Sequence, residues 1–213
     1  YKTFCVHSFV YLPCQCLLFC CAAQQGNADE YIDTVLNNAK NDPEIRSKYE
    51  PLIIPDLSKG KGSLSEVRLH GLSSLTRSGP VTLLSEADRV VLEANLGLRD
   101  LQANSRWRYR ANRFIRVKGR LSAKISSISC KIRIVVDGLQ ARLETFGVTD
   151  VSGLKVTKFS GASAAFNWLI KWFINEVVKR QRGKIVDQIE KAGRNALEKA
   201  LSKADIGKLI IPV

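Results

Sequence analysis

The segment AAFNWLIKWFINEVV, residues 164–178, is apolar over most of its length and carries a single polar stripe. Asn167, Lys171 and Asn175 are spaced four residues apart, so they would lie along one line of an α-helix. A membrane-spanning helix needs about 20 predominantly apolar residues, whereas this segment is shorter and contains Lys171 and Glu176. The pattern therefore predicts a helix that other parts of the protein cover over most of its circumference.

The residues before this segment, 65–159, alternate between apolar and polar positions. The clearest alternating runs are residues 90–98, 115–125 and 128–136. Such a period of two is typical of antiparallel strands with one buried face and one solvated face. The phase changes at Ser126-Ser127, where we expect a bulge or a tight turn, and Asp137-Gly138 predicts a hairpin.

A helical period extends over residues 160–203 and predicts one long C-terminal helix, with Ser160 or Ser163 as its N-cap. The apolar face of the predicted sheet is long enough to cover it. The sequence therefore predicts an α+β fold in which a long, curved antiparallel sheet wraps around one long C-terminal helix, with an N-terminal helix packed alongside.

The N-terminal helix is predicted from one apolar face within residues 29–49. Asp42-Pro43 has the form of an N-cap followed by proline at the first helical position, so we expect the helix to break and restart there. Residues 50–63, which contain prolines and glycines, are expected to form a connector before the sheet.

The first 23 residues are typical of part of a secretory signal peptide, with an apolar run, small residues before the expected cleavage after Ala23, and no initiating methionine. An uncleaved membrane anchor is the competing interpretation. Five of the six cysteines lie in this segment, and residues 24–213 are expected to form a single secreted domain with one thiol, Cys130. That thiol is interpreted either as a small buried hydrophobe or as a partner in an intermolecular disulfide.

The chain carries a formal net charge of +13, which favours anionic partners. Basic residues share the outward parity of the central strands: Arg116, Lys118, Arg120, Lys124, Lys131 and Arg133. This stripe is interpreted as a solvated face, or as a site for the anionic head groups of lipid, membrane or lipopolysaccharide. Secretion and the lack of a nucleic-acid-binding motif argue against nucleic acid as a partner.

The apolar helix and the inward strand positions form either a packed core or the wall of a ligand cavity. Large side chains of the helix, including Trp168, face a sheet wall with smaller residues such as Ala94, Gly119 and Ala123. Small residues opposite large ones are compatible with interdigitated packing and with room for an acyl chain. Periodicity alone leaves both alternatives open.

The order of elements, together with three sequence segments, resembles the dust-mite group-seven allergens. The segments are EPLIIPDLS at residues 50–58, VRLHGLSSLTRSG at 67–79, and the run that begins GVTDVSGLKV at 147 and continues through the apolar helix to residue 201. Those allergens are similar to takeout and juvenile-hormone-binding proteins and to one half of the bactericidal/permeability-increasing lipid-binding proteins. Takeout and hormone-binding relatives typically have an N-terminal disulfide that Cys130 alone cannot form within the mature chain, which favours the allergen-like branch.

The resemblance implies a super-roll, a sheet wrapped around a long helix with an apolar groove or tunnel for lipid-like ligands. It also implies a secreted, non-enzymatic carrier or a role in recognising foreign lipids. The apolar residues expected to contact ligand are Leu92, Leu96, Ile115, Val117, Ile132, Ile134, Phe166, Leu169, Trp172 and Phe173. The alternative function is that of a filled super-roll that docks on polyanions or anionic membranes through its basic face.

Catalysis is not expected, because the only histidine beyond the predicted signal peptide is His70 and no nucleophile elbow, phosphate-binding loop or zinc-protease motif is present. The cysteine spacing does not match a zinc site, and no metal or cofactor is expected. The sequence does not predict the oligomeric state.

Overall fold

The computed structural model describes residues 15–86, 89–110, 112–114, 116–161, 168–172, 175, 179 and 182–209. The helices in these residues are α1 Gln15–Asn41, α2 Pro43–Arg46, α3 Trp168–Trp172 and α4 Arg182–Leu201. The strands are β1 Leu52–Ile54, β2 Leu57–Lys59, β3 Gly62–His70, β4 Thr76–Arg77, β5 Thr82–Glu86, β6 Arg89–Arg110, β7 Arg116–Asp137, β8 Gln140–Ser152 and β9 Lys155–Ser160. None of the helices in this part of the chain has the length and apolar character needed to cross a membrane.

All nine described strands belong to one large, curved antiparallel sheet, which confirms the predicted fold class. The main path runs β1-β3-β6-β7-β8, with β2 added to β3, β4 and β5 to β6, and β9 to β7. β6 and β7 are 22 residues each, roughly 70 Å of extended chain. They pair in one register from Val90–Val136 to Arg110–Arg116, interrupted only between Asp100 and Ser126. α4 packs against α1 and β8 on the inner side of this sheet.

The inner face of β6 and β7 follows the predicted alternation, and the predicted change of phase is confirmed. In β7 the buried positions change from odd to even numbers between Ile125 and Ile128. Ser126 and Ser127 lie within β7 and do not form a turn. At the matching point of β6, Asp100 adopts a positive φ of 53°, and the phase of β6 changes there as well. Since both strands change together, the pairing register is unchanged and the apolar side chains stay on one side of the sheet.

The N-terminal region also follows the sequence pattern. The Asp42 carboxylate accepts hydrogen bonds from the backbone N–H groups of Glu44 and Ile45 at 2.9 and 3.1 Å, which confirms the predicted cap and the restart of the helix. The buried face of α1 contains Tyr31, Ile32, Val35, Leu36 and Ala39. α1 runs without a break through Ala23; cleavage at that position remains a prediction.

Two predicted boundaries are wrong. Ser160 does not start a helix, because it is the last residue of β9 and pairs with Arg120 in β7. Its carbonyl oxygen accepts a hydrogen bond of 3.0 Å from the Trp107 indole N–H. Residues 50–63 are not only a connector, since β1 and β2 lie within them and pair with β3. Strand pairing between distant segments overrides the local helix-cap and loop signals in both cases.

Candidate functional site

A cavity of about 250 Å³ lies between the inner face of the sheet and the start of α4. Three groups of residues line it: those of the short strands β1 to β3, those of the central strands β6 and β7 with β8 and the loop after it, and Lys179 together with four residues of α4. The described lining residues are Ile54, Leu57, Leu64, Val67, Leu69, Ala103, Ser105, Leu121, Ala123, Ile125, Val151, Leu154, Lys179, Arg182, Ile185, Val186 and Ile189. An apolar concave space of this kind is suited to an apolar ligand.

The room for this cavity comes from small side chains at the middle of the sheet. Ala103 in β6 pairs directly with Ala123 in β7, and Ser105 pairs with Leu121. Directly opposed side chains on one face lie about 5 Å apart, so a pair of alanines leaves a shallow depression between the larger residues on either side. Ile185 and Ile189 of α4 contribute to the opposite wall.

Two cationic side chains lie at the edge of this apolar cavity. Lys179 and Arg182 are both exposed, and both contribute to the cavity lining. Neither forms an ion pair with another residue in the described part of the chain. These two cations make one end of the cavity polar, whereas its other walls are apolar.

The predicted apolar ligand contacts occupy a different part of the molecule. Leu92, Leu96, Ile132 and Ile134 are at most 1% exposed and belong to the closed core, and they do not line the 250 Å³ cavity. Val117 is partly buried against the core. Ligand contact by these residues remains a prediction, but the structure places them in packed protein.

The predicted helix residues are described only in part. Trp172 is partly buried and contacts Tyr109 edge to face, with ring centroids 5.2 Å apart. Trp168 is half exposed and meets the same ring at 5.7 Å. The predictions for Ile115, Phe166 and Phe173 lie outside the described residues, and so does the side chain of Leu169.

The predicted basic residues Arg116, Lys118, Arg120 and Lys124 lie exposed on the outer face of β7. They alternate with the cavity-lining residues of the same strand, so the thickness of the sheet separates them from the cavity. Three of them face arginines of β6 directly, in the pairs Arg110–Arg116, Arg108–Lys118 and Arg106–Arg120. We call these six paired residues the basic ladder.

Lys131 and Arg133 differ from the predicted cationic stripe, because carboxylates compensate their charges. Lys131 Nζ lies 2.7 Å from Glu93, and Arg133 binds Glu93 at 2.9 Å as well as Glu86 and Glu144. Hydrogen bonds from Lys131 and Arg133 lower the pKa of Glu93, and the three carboxylates raise the pKa of Arg133. Of the six predicted basic positions, the four without an acidic partner among the described residues are therefore Arg116, Lys118, Arg120 and Lys124, in the other half of β7.

Cys130 is a buried free thiol on the inner face, in agreement with the first of its two predicted interpretations. Burial, with a smaller contribution from Glu190, raises the pKa of the Cys130 thiol to about 12. The thiolate that would attack a disulfide is therefore scarce at neutral pH. No cluster of histidine, cysteine and carboxylate side chains suited to a metal ion occurs among the described residues.

Comparison with known proteins identifies the fold. No family model and no curated protein matches the sequence. A crystal structure of a lipopolysaccharide-binding protein aligns over 85% of this chain with a TM-score of 0.50 at 11% identity, and the match covers 37% of that protein. The structure of Takeout 1 from Epiphyas postvittana aligns over 76% of this chain and 83% of its own, at 15% identity and a TM-score of 0.40.

The chain thus has the sheet-and-helix fold seen in the matching part of the lipopolysaccharide-binding protein, and it spans just over a third of that protein's length. The assignment to the dust-mite group-seven allergens is not confirmed by these comparisons and remains a prediction.

Proposed function

We propose that this protein is a secreted, non-enzymatic carrier that binds lipid-like ligands in the cavity between β6, β7 and α4. The observation that carries the proposal is the cavity itself, about 250 Å³ with almost entirely apolar walls. An engineered apolar cavity of about 150 Å³ stays dry and binds benzene. Each methylene group that leaves water for such a site contributes about 0.8 kcal/mol, so part of an acyl chain is enough for useful affinity.

The fold supports the same proposal. The protein that shares it is named for binding lipopolysaccharide, which is an amphiphilic molecule. The conclusion for this chain rests on its own cavity, because identity at the level of 11% shows the fold alone.

Substitution of Ala103 by phenylalanine tests the cavity. The ring would project from the alanine pair into the empty space, and we expect the affinity for 1-decanol to fall at least about tenfold. The free energy of unfolding should stay within about 1 kcal/mol, because the ring fills a void and does not displace packed atoms. Calorimetric titration of delipidated protein measures the affinity, and urea unfolding measures the stability.

The matched control is Gln102→Phe, which places the same ring on the exposed outer face of β6, one residue away. It should leave 1-decanol binding unchanged. Absence of 1-decanol uptake by the parent protein, or equal uptake by Ala103→Phe, would show that the cavity does not bind apolar ligands.

A second candidate function, docking on an anionic membrane, is favoured by the basic ladder. Like charges placed directly opposite each other in a sheet destabilise it, and three such pairs occur in succession. Only Arg106 of these six residues has an acidic partner among the described residues, Glu66 at 3.1 Å. The turn beyond them presents Phe114, which is 89% exposed, beside the exposed Arg113. Arginines around an exposed aromatic ring suit a surface of anionic head groups over an apolar interior.

Reversal of the charges at Arg116, Lys118 and Arg120 to glutamate tests this surface. Each glutamate would face an arginine of β6, so the fold should be kept. We expect sedimentation with phosphatidylglycerol vesicles to fall at least about tenfold at about 0.1 M salt, while 1-decanol uptake stays the same. Reversal of the exposed Lys59, Lys184 and Lys191 changes the net charge equally and is the control; equal loss in both variants would rule out a specific surface.

A further inference from the structure

We infer that the cavity selects a single-chain carboxylic acid of medium length, with Lys179 and Arg182 binding the carboxylate and the apolar walls binding the chain. This inference rests on the proposed function and names the class of ligand that the same site takes. It assigns the head-group contact to two residues of the C-terminal helical region. The basic positions of β7 that the sequence suggested lie on the far face of the sheet.

The composition of the cavity wall is the first argument. Of its 17 described lining residues, 14 are apolar, and the other three are Ser105, Lys179 and Arg182. None of the described lining residues is acidic. A ligand that fills this space therefore meets apolar surface along its length and positive charge where the space opens to solvent. A negative group at one end of the ligand satisfies both conditions.

The unpaired state of these two cations is the second argument. Three other basic residues on or after α4 are compensated: Arg194 pairs with Glu198, Lys199 with Glu44, and Lys203 with Asp42. Lys184 and Lys191 are exposed and have no ion pair among the described residues, but they do not line the cavity. Lys179 and Arg182 have no acidic partner within the described part of the chain. They thus remain available to hydrogen-bond an anion, and Arg182 can bind a carboxylate with two parallel N–H groups.

The volume of the cavity sets the length of the chain. Scaling from a six-carbon ring in about 150 Å³, a space of about 250 Å³ accommodates about ten carbon atoms. Decanoate is therefore the probe that matches both the apolar volume and the charged edge. 1-Decanol has the same chain without the charge, and decylamine has the opposite charge.

Titration of the delipidated protein with the three probes tests the inference. We expect decanoate to bind about tenfold more tightly than 1-decanol, since only the carboxylate carries a negative charge that can form an ion pair with the two cations, and decylamine to bind most weakly. In the double variant Lys179→Gln with Arg182→Gln, the affinity for decanoate should fall to that for 1-decanol. Affinity for 1-decanol itself should change by less than about twofold, because the apolar walls are intact and glutamine can still donate a hydrogen bond to the hydroxyl.

Lys184→Gln with Lys191→Gln is the matched control, because it removes two exposed charges of α4 that do not line the cavity. Circular dichroism confirms that both double variants keep their fold. Equal binding of decanoate and 1-decanol by the parent, or a preference that survives in the Lys179/Arg182 variant, overturns the head-group inference and leaves the cavity function standing. Failure of all three probes to bind overturns both.

Discussion

Replacement of Gly119 by alanine is expected to lower the free energy of unfolding by about 4 kcal/mol, through overpacking against backbone and loss of a part-buried hydrogen bond. A Cβ at this position would lie 1.7 Å from the carbonyl oxygen of Ser160 and 2.8 Å from Trp107 Nε1. Neither neighbour can move freely. Ser160 is paired with β7, and the Trp107 ring is buried and stacked on Phe159 with centroids 4.5 Å apart.

The added methyl group would therefore separate the end of β9 from β7. It would break the hydrogen bond from the Trp107 indole to Ser160 and disturb the ring stack, which contributes about 1 kcal/mol beyond its burial. Since globular domains are stable by only about 5–15 kcal/mol, a loss of this size is a large part of the total. Urea unfolding followed by tryptophan fluorescence measures it.

Gly183→Ala is the control for the generic effect of removing a glycine. Gly183 lies in α4, and a methyl group added there would have no neighbouring atom within 4 Å. Alanine at this position should stabilise the helix by up to about 1 kcal/mol. If Gly119→Ala unfolds at the same urea concentration as the parent protein, then β7 and β9 do not approach as closely as described.

The sheet could be predicted from sequence because its signal is local and repeated. Alternation over residues 90–98 and 128–136 predicts which side chains face the core, and its even-numbered positions are buried except Val90, which is partly buried. The Asp42 cap could be predicted for the same reason, since its partners Glu44 and Ile45 are two and three residues away. Such patterns need no knowledge of which strand pairs with which.

The cavity could not be predicted in this way, because it depends on register. Ala103 and Ala123 are distant in sequence, and only the pairing of β6 with β7 places one opposite the other. Parity showed that Ala123 faces inward but gave no information on what lies across from it. Ligand contact by the large inward residues Leu92, Leu96, Ile132 and Ile134 stays a prediction, and the described lining of the cavity includes the alanine pair but none of these four.

Whether a charged side chain is compensated also depends on which strands the fold places beside it. Arg133 is contacted by Glu86, Glu93 and Glu144, which come from three different strands. The outward parity of Arg133 was sufficient to predict a cationic position, but its neighbours across the sheet neutralise it. Lys179 and Arg182 are recognisable in the sequence as basic residues of a helix, and only the folded chain places them at the cavity edge.

Substitution of Leu96 by alanine tests whether this residue belongs to the packed core or contacts ligand. Leu96 is fully buried, pairs with Cys130 across β6 and β7, and does not line the cavity. We expect the free energy of unfolding to fall by about 3 kcal/mol, because the change leaves a void in closely packed surroundings. The affinity for 1-decanol, measured well below the unfolding transition, should change by less than about twofold.

Ile125→Ala is the matched comparison, since Ile125 is buried in β7 but borders the existing cavity. A side chain that faces empty space has fewer partner atoms to lose, so its truncation should destabilise the protein less than Leu96→Ala does. It should also change the affinity for 1-decanol, because it alters the wall that the chain contacts. A large loss of 1-decanol binding in Leu96→Ala, with binding kept in Ile125→Ala, would contradict binding at the alanine pair. It would indicate that the ligand contacts the large inward residues of β6 instead.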